Sequence, residues 1–291
     1  MNTIVKRIYG RHSIPSLVGW LIRRSLRLAT ARMRTLPDFV IIGGQRCGTT
    51  SLYNYLAEHP RVLPAFMKET HFFDMHYHRG INWYRAFFPL AVNKKDSQVP
   101  DHLGLLTGES TPSYLFYPHA PERMASLLPE VRLVALLRNP VDRAYSHYHH
   151  EVSMGFESLS FEDALAREEK ELPAEAERVS QDETYLSFTY LNYSYLSRGI
   201  YADQLEQWTK WFSRKRLLVL RSEDLARDPT GAMKLVTEFL NLPPLQLPAY
   251  KPYHLAQYPP MDVATRRRLV AYFERHNQRL YSFLGMDLGW E

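Results

Sequence analysis

The chain has 291 residues, 45% of them hydrophobic and 13% aromatic, enough apolar surface to offset chain entropy and to exclude a disordered, collagenous or low-complexity protein. Its single cysteine, Cys47, excludes an internal disulfide framework and a cysteine-based zinc site. The formal charge of +5 is placed unevenly: residues 1–36 carry eight cations and no acid, whereas 157–183 carry ten acids against three bases, so a distributed polyanion face, and with it a nucleic-acid partner, is not expected.

The first element in chain order is a basic amphipathic arm, residues 1–37, in which Val18, Leu21, Ile22, Leu26, Ala29 and Met33 fall near one helical stripe and arginines elsewhere. Its apolar run around Leu17 to Ile22 is about five or six residues, far short of the roughly 18 to 20 that span a bilayer. Three readings stay open for residues 1–36: a helix docked on its own domain, a helix for peripheral membrane or partner contact, and a cleaved targeting peptide. Pro37 closes the arm, and residues 38–291 read as one domain. Phe39-Val40-Ile41-Ile42, stopping at Gly43-Gly44, predicts a buried parallel strand. Thr49 to Glu58, with Leu52, Tyr53 and Leu56 at helical spacing, predicts the helix that follows. Val131 to Leu137 predicts a second strand, broken by Arg138-Asn139-Pro140 ahead of a helix from Val141, and Leu217 to Leu220 a third. Further helices are predicted over 161–171, 199–212, 230–240 and 264–284. Strands alternating with helices predict an α/β domain with a mostly parallel central sheet.

The sharpest local signal is Gly43-Gly44-Gln45-Arg46-Cys47-Gly48-Thr49-Thr50-Ser51, between the first strand and its helix. Glycines let the backbone approach an anion, and the helix start supplies N–H donors at the positive end of its dipole. A nucleotide triphosphatase loop would place Lys where Thr49 stands, and would end a neighbouring strand on a metal-holding Asp. Here that strand ends on Arg138, whose guanidinium offers a fork of donors to a phosphate directly. Ser146 follows on the next helix, where its hydroxyl can return toward the same anion. His147, His149, His150 and Glu151 raise the question of a metal, but lack the further ligands a site needs, and no metal is expected.

On these residues the chain resembles the sulfotransferases that use 3′-phosphoadenosine 5′-phosphosulfate (PAPS). The loop Gln45-Arg46-Cys47-Gly48-Thr49-Thr50-Ser51 is similar to their 5′-phosphosulfate loop, and Arg138-Asn139-Pro140-Val141-Asp142-Arg143-Ala144-Tyr145-Ser146 to their 3′-phosphate motif. Lys68-Glu69-Thr70-His71-Phe72-Phe73-Asp74 and Gly108-Glu109-Ser110-Thr111-Pro112-Ser113-Tyr114-Leu115 resemble segments of the glycosaminoglycan, heparan-sulfate-type and bacterial branch. The resemblance runs from about Asp38 to Gly285. It implies a P-loop-like three-layer α/β/α fold and transfer of a sulfuryl group from PAPS to a hydroxyl, or an amine, of a carbohydrate, lipid or small-molecule acceptor, with 3′-phosphoadenosine 5′-phosphate as product and no metal.

The resemblance also implies roles. Gln45, Arg46, Cys47, Gly48, Thr49, Thr50 and Ser51 would hold the 5′-phosphosulfate, and Arg138 and Ser146 the 3′-phosphate. Arg46 stands where the family usually has Lys, so its part in stabilising the departing oxygen would be electrostatic, since arginine does not readily give up a proton. Lys68 would contact the sulfate or acceptor. Glu69 would be the base, with His71 as its rival. His71, Ser113, Tyr114, Arg198 and Tyr201 are candidate acceptor contacts, and Lys251 to Pro260 a candidate loop over the nucleotide. Two other readings stand beside this one: a P-loop kinase or triphosphatase, and a nucleotide-binding relative without activity. The single cysteine and the lack of a membrane anchor suggest a bacterial cytoplasmic setting, with residues 1–36 as a membrane contact.

Overall fold

The first apolar run forms the centre of the molecule. In the computed structural model, which describes residues 14–94, 104–251 and 258–290, the strands are β1 (Phe39–Gly43), β2 (Val62–Pro64), β3 (Leu106–Ser110), β4 (Arg132–Leu137) and β5 (Leu217–Arg221). They lie in the order β2-β3-β1-β4-β5, every pair parallel. β1 is buried along its whole length, and its side chains alternate between two cores, as the two-residue period of a strand requires. Phe39 and Ile41 join Val134 and Leu136 of β4 on one face; Val40 and Ile42 join Leu133, Ala135 and Leu137 on the other.

The described helices are α1 (Ile14–Ala29), α2 (Thr49–Ala57), α3 (Gly80–Arg85), α4 (Ala120–Leu127), α5 (Pro140–Met154), α6 (Phe161–Gln181), α7 (Phe188–Asn192), α8 (Tyr201–Trp211), α9 (Ser222–Arg227), α10 (Pro229–Leu240) and α11 (Val263–Leu284). α2 and α10 cover one sheet face with Leu52, Leu56, Met233 and Val236. α4, α8 and α11 cover the other with Met124, Leu205, Trp208 and Leu280. The result is the three-layer α/β/α arrangement with a parallel sheet. A further core of Val141, Ala144, Phe161, Leu165, Leu269 and Phe273 ties α5 to α6 and α11.

Two strands escape the sequence reading. β3 reads Leu-Thr-Gly-Glu-Ser, and Thr107, Glu109 and Ser110 are all fully buried, so the apolar signal of an interior strand is absent. β2 has only three residues. α6 runs past the predicted end at 171 to Gln181, with Pro173 inside it and Ser160 capping its start by accepting from the Asp163 N–H. The acidic stretch 157–183 is largely this helix. Two of its acids turn inward: Glu168 accepts from the backbone N–H groups of Leu196 (2.7 Å) and Ser197 (2.9 Å), and Glu157 pairs with Arg167 and accepts from the Tyr195 hydroxyl.

Residues 1–13 of the arm lie outside the described residues. The rest docks beside α3, but by the face opposite to the one its apolar stripe suggests. Arg27 donates to the carbonyls of Ala86 (2.8 Å) and Phe88 (2.8 Å), Arg34 donates to Phe88 (2.8 Å), and the Arg24 guanidinium lies 3.8 Å over the Phe87 ring. The receiving surface follows a helix end, where carbonyls lack intrahelical partners, and it presents aromatic faces; guanidinium groups satisfy both better than leucines do. Leu21, Ile22, Leu26, Ala29 and Met33 face outward.

Candidate active site

The chain leaves β1 toward β2 and β3 on one side and returns to β4 and β5 on the other, which places a topological switch point at the carboxyl end of β1. The glycine loop lies there. Gly48 adopts a left-handed φ of 86° at the start of α2 and gives that helix no side-chain cap, so the first-turn N–H groups stay available to an anion. Gly43 has no room for a side chain: an added Cβ would lie 2.5 Å from Leu115 Cβ and 2.9 Å from the Pro112 carbonyl. The loop is therefore packed directly against the segment carrying Ser113.

One side of the crevice is cationic. Arg46 Nε donates to Ser146 Oγ at 3.2 Å, and Arg138 Nη1 donates to the Arg46 carbonyl at 3.3 Å. Among the described residues neither guanidinium forms an ion pair. Burial, with the adjacent charge of Arg138, holds Arg46 below the ordinary guanidinium value. Glu151 lies within electrostatic reach of Arg46, and burial pushes it up to about 7 against the pull of Arg198 and Arg46. Two neighbouring cations, a hydroxyl and an uncapped helix start fit a phosphate dianion.

The other side carries a chain of paired charges. Lys68 Nζ donates to Thr50 Oγ1 at 2.7 Å and lies 2.7 Å from Glu69 Oε1. Glu69 Oε2 is 3.5 Å from His71 Nε2, His71 Nδ1 is 3.0 Å from Asp74 Oδ2, and the Ser113 hydroxyl donates to Asp74. Burial opposes ionisation of Glu69, but the hydrogen bond from His71 and the Lys68 charge outweigh it and hold the carboxyl down at about 2. Burial likewise opposes the charged form of His71, while the charge and hydrogen bond of Asp74, with Glu69, raise it to about 10. Both ring nitrogens of His71 thus face carboxylates, an arrangement that favours the imidazolium.

The sequence reading missed two groups here. Asp74 ends the segment that contains Lys68 and Glu69, and its spacing from His71 was the available signal. Glu109 is fully buried in β3 and accepts from the hydroxyls of Thr111 (2.6 Å), Tyr84 (2.7 Å) and Thr70 (2.9 Å). It ties β3 to the 70–73 segment.

Several expectations change. Arg46 is turned toward Ser146 and Arg138, so the cation beside Glu69 is Lys68. Cys47, Thr49 and Ser51 are buried, at 0%, 4% and 9% exposure, and the Thr50 hydroxyl meets Lys68. Gln45 Oε1 is buried without a described partner. Tyr114, Arg198 and Tyr201 are interior, at 0%, 4% and 1% exposure, and offer little surface to an acceptor. Tyr114 accepts from the Phe72 N–H at 2.8 Å, Arg198 donates to Ser194 at 2.8 Å and Leu191 at 3.0 Å, and Tyr201 donates to the Arg138 carbonyl at 2.9 Å. Ser113 is half-buried beside Asp74. His147 is fully buried 3.4 Å from Glu151, and among the described residues no three His, Cys, Asp or Glu side chains cluster for a metal. Of the loop Lys251 to Pro260, residues 252–257 lie outside the described residues; Tyr258 stacks on His149 at 4.4 Å.

With this geometry in place, comparison with known proteins is specific. A family model described as "Sulfotransferase domain" matches residues 36–251. A solved sulfotransferase from Alicyclobacillus acidocaldarius is 30% identical, superposes with a TM-score of 0.67, and is matched over 87% of this chain and 98% of its own. The human bifunctional heparan sulfate N-deacetylase/N-sulfotransferase 3 is 31% identical over 86% of this chain, which spans only 30% of that protein. The membrane-associated sulfotransferase kil1 of Dictyostelium discoideum is 24% identical over 89% of this chain and 68% of its own length. The match spans the glycine loop, Glu69 and the Arg138–Ser146 helix together, and the chain belongs to the sulfotransferase domain family.

Proposed function

We propose that this sulfotransferase takes PAPS as donor and sulfates a hydroxyl, or an amine, of a carbohydrate, lipid or small-molecule acceptor without a metal, in a bacterial cytoplasm. The reading rests on one observation: Arg46, which contacts Ser146, and Arg138, which contacts the Arg46 carbonyl, are two cations without carboxylate partners among the described residues on one side of the glycine loop, and Lys68 and Glu69 stand on the other. Arg46, Arg138 and Ser146 would hold the 3′-phosphate, selecting PAPS over ATP. The α2 N–H groups, Thr50 and Lys68 would hold the phosphosulfate. The acceptor hydroxyl attacks sulfur in line, the bond from sulfur to the bridging oxygen breaks, and its electron pair leaves with 3′-phosphoadenosine 5′-phosphate. Glu69 receives the acceptor proton. Lys68 offsets charge developing on the bridging oxygen, while His71 and Asp74 fix the Glu69 carboxylate.

The test is incubation with PAPS and a panel of an amino-sugar oligosaccharide, a glycolipid and a phenol, following release of 3′-phosphoadenosine 5′-phosphate with and without chelator. Acceptor-dependent release that survives chelation is expected. Tight PAPS binding with no release on any acceptor would point to a relative without activity, and magnesium-dependent ATP turnover to the kinase reading.

A further inference from the structure

The arm is amphipathic in an inverted sense. The side of α1 that faces the protein carries Trp20, Arg24 and Arg27, with Arg34 just beyond the helix. Trp20 stacks on Phe66 at 6.4 Å, Arg27 lies 4.9 Å over the same ring, and the remaining contacts go to Trp83, Phe87 and the 86–88 carbonyls. Arg24 and Arg27 of this helix are thereby turned onto the molecule. Leu21, Ile22 and Leu26 of α1 are left 55%, 56% and 63% exposed, and Met33, just beyond the helix, 64%, an unusual density of large apolar side chains. Val92, two residues past the Arg34–Leu90 bridge that anchors the arm, is 68% exposed.

We propose that this outward face of α1 seats the enzyme on an anionic lipid surface. The charge around the stripe selects that occupant. Arg23 and Arg32 are exposed on the arm, and residues 1–36 contain no acid at all. An apolar stripe flanked by exposed arginines, on a helix too short and too charged to span, is the pattern of a helix lying in the headgroup region. A self-associating face would more commonly interleave acids with its arginines. The Phe66 ring that receives Trp20 and Arg27 is followed by half-exposed Met67, then Lys68 and Glu69. On the reading of these last two as reaction-centre residues, the lipid-facing helix and the acceptor side of the crevice share one segment of chain.

The experiment uses the full chain with vesicles of phosphatidylcholine alone and of phosphatidylcholine with about one third phosphatidylglycerol, separated by flotation. Flotation with the anionic vesicles and not with the neutral ones is expected. The variant Leu21→Ser/Ile22→Ser/Leu26→Ser, altered only at exposed positions, should bind the anionic vesicles at least about tenfold more weakly while melting at the wild-type temperature. Its PAPS affinity should be unchanged, a readout that does not depend on the acceptor. Equal flotation of the variant, or no flotation of the wild type, overturns the proposal. So does a wild-type dimer that the variant converts to monomer without any vesicle binding, which would assign the face to a second copy.

Discussion

On the proposed reading Lys68 and Arg46 divide between them a task expected of one side chain, and the division is testable. Lys68→Ala should lower kcat by about a hundredfold with little change in PAPS affinity, because the lost interaction strengthens only as the bridging oxygen gains charge. Arg46→Ala should instead weaken PAPS binding by roughly tenfold or more, the loss of one charge-assisted contact; the opposite pattern in steady-state and binding measurements would return Arg46 to the departing oxygen. Glu69→Gln should cut turnover by about a thousandfold, within the range for loss of a positioned base, and retain PAPS affinity. Glu109→Gln probes the hidden support. Its carboxylate faces the hydroxyls of Thr70, Thr111 and Tyr84, and an amide would set donor against donor, so urea unfolding should show a loss of about 2 kcal/mol. Cys47 is fully buried, and burial raises its thiol to about 11, so the native protein should resist thiol reagents that react with it once unfolded.

At the scale of elements, what could be read from the sequence follows how each element earns its burial. β1, β4 and β5 are legible because strands covered by helices are apolar on consecutive positions. The loop is legible because only glycines permit its approach to an anion and to Leu115. β3 is not, because its interior positions are polar and satisfied by partners distant in sequence, and periodicity carries no trace of them. The same reason hides Asp74, whose significance depends on the placement of His71 and Ser113. α1 was legible as a helix but not in its orientation, since the aromatic rings and open carbonyls that attract Arg24, Arg27 and Arg34 belong to another segment. Gly43→Ala tests the contact between loop and acceptor segment: with only 2.5 Å to Leu115 Cβ, the added methyl should cost about 1–3 kcal/mol in urea unfolding. A neutral result would mean that the 112–115 segment yields.

For the whole molecule, the paired charges set a pH window. Glu69 titrates lower in the folded chain than its ordinary 4.5, so its contribution to stability is present above about 4.5 and fades as pH falls toward about 2. His71 titrates higher than its ordinary 6.5, so its contribution is full below about 6.5 and is lost as pH rises toward about 10. Both are present together between those ordinary values. Thermal melts should therefore decline from about pH 6.5 upward, and His71→Gln should flatten that limb; an unchanged slope in the variant would assign it to other groups.

The seat of α1 has a consequence for handling the protein. Arg24, Arg27 and Arg34 dock on carbonyls and rings, and among the described residues none of them is paired with a carboxylate. Ionic strength that shortens the reach of charge to less than the width of a helix has little to screen at that joint. Salt should thus loosen the arm's electrostatic hold on a charged surface while leaving the arm seated on its own domain, so a high-salt wash releases folded enzyme with its arm in place.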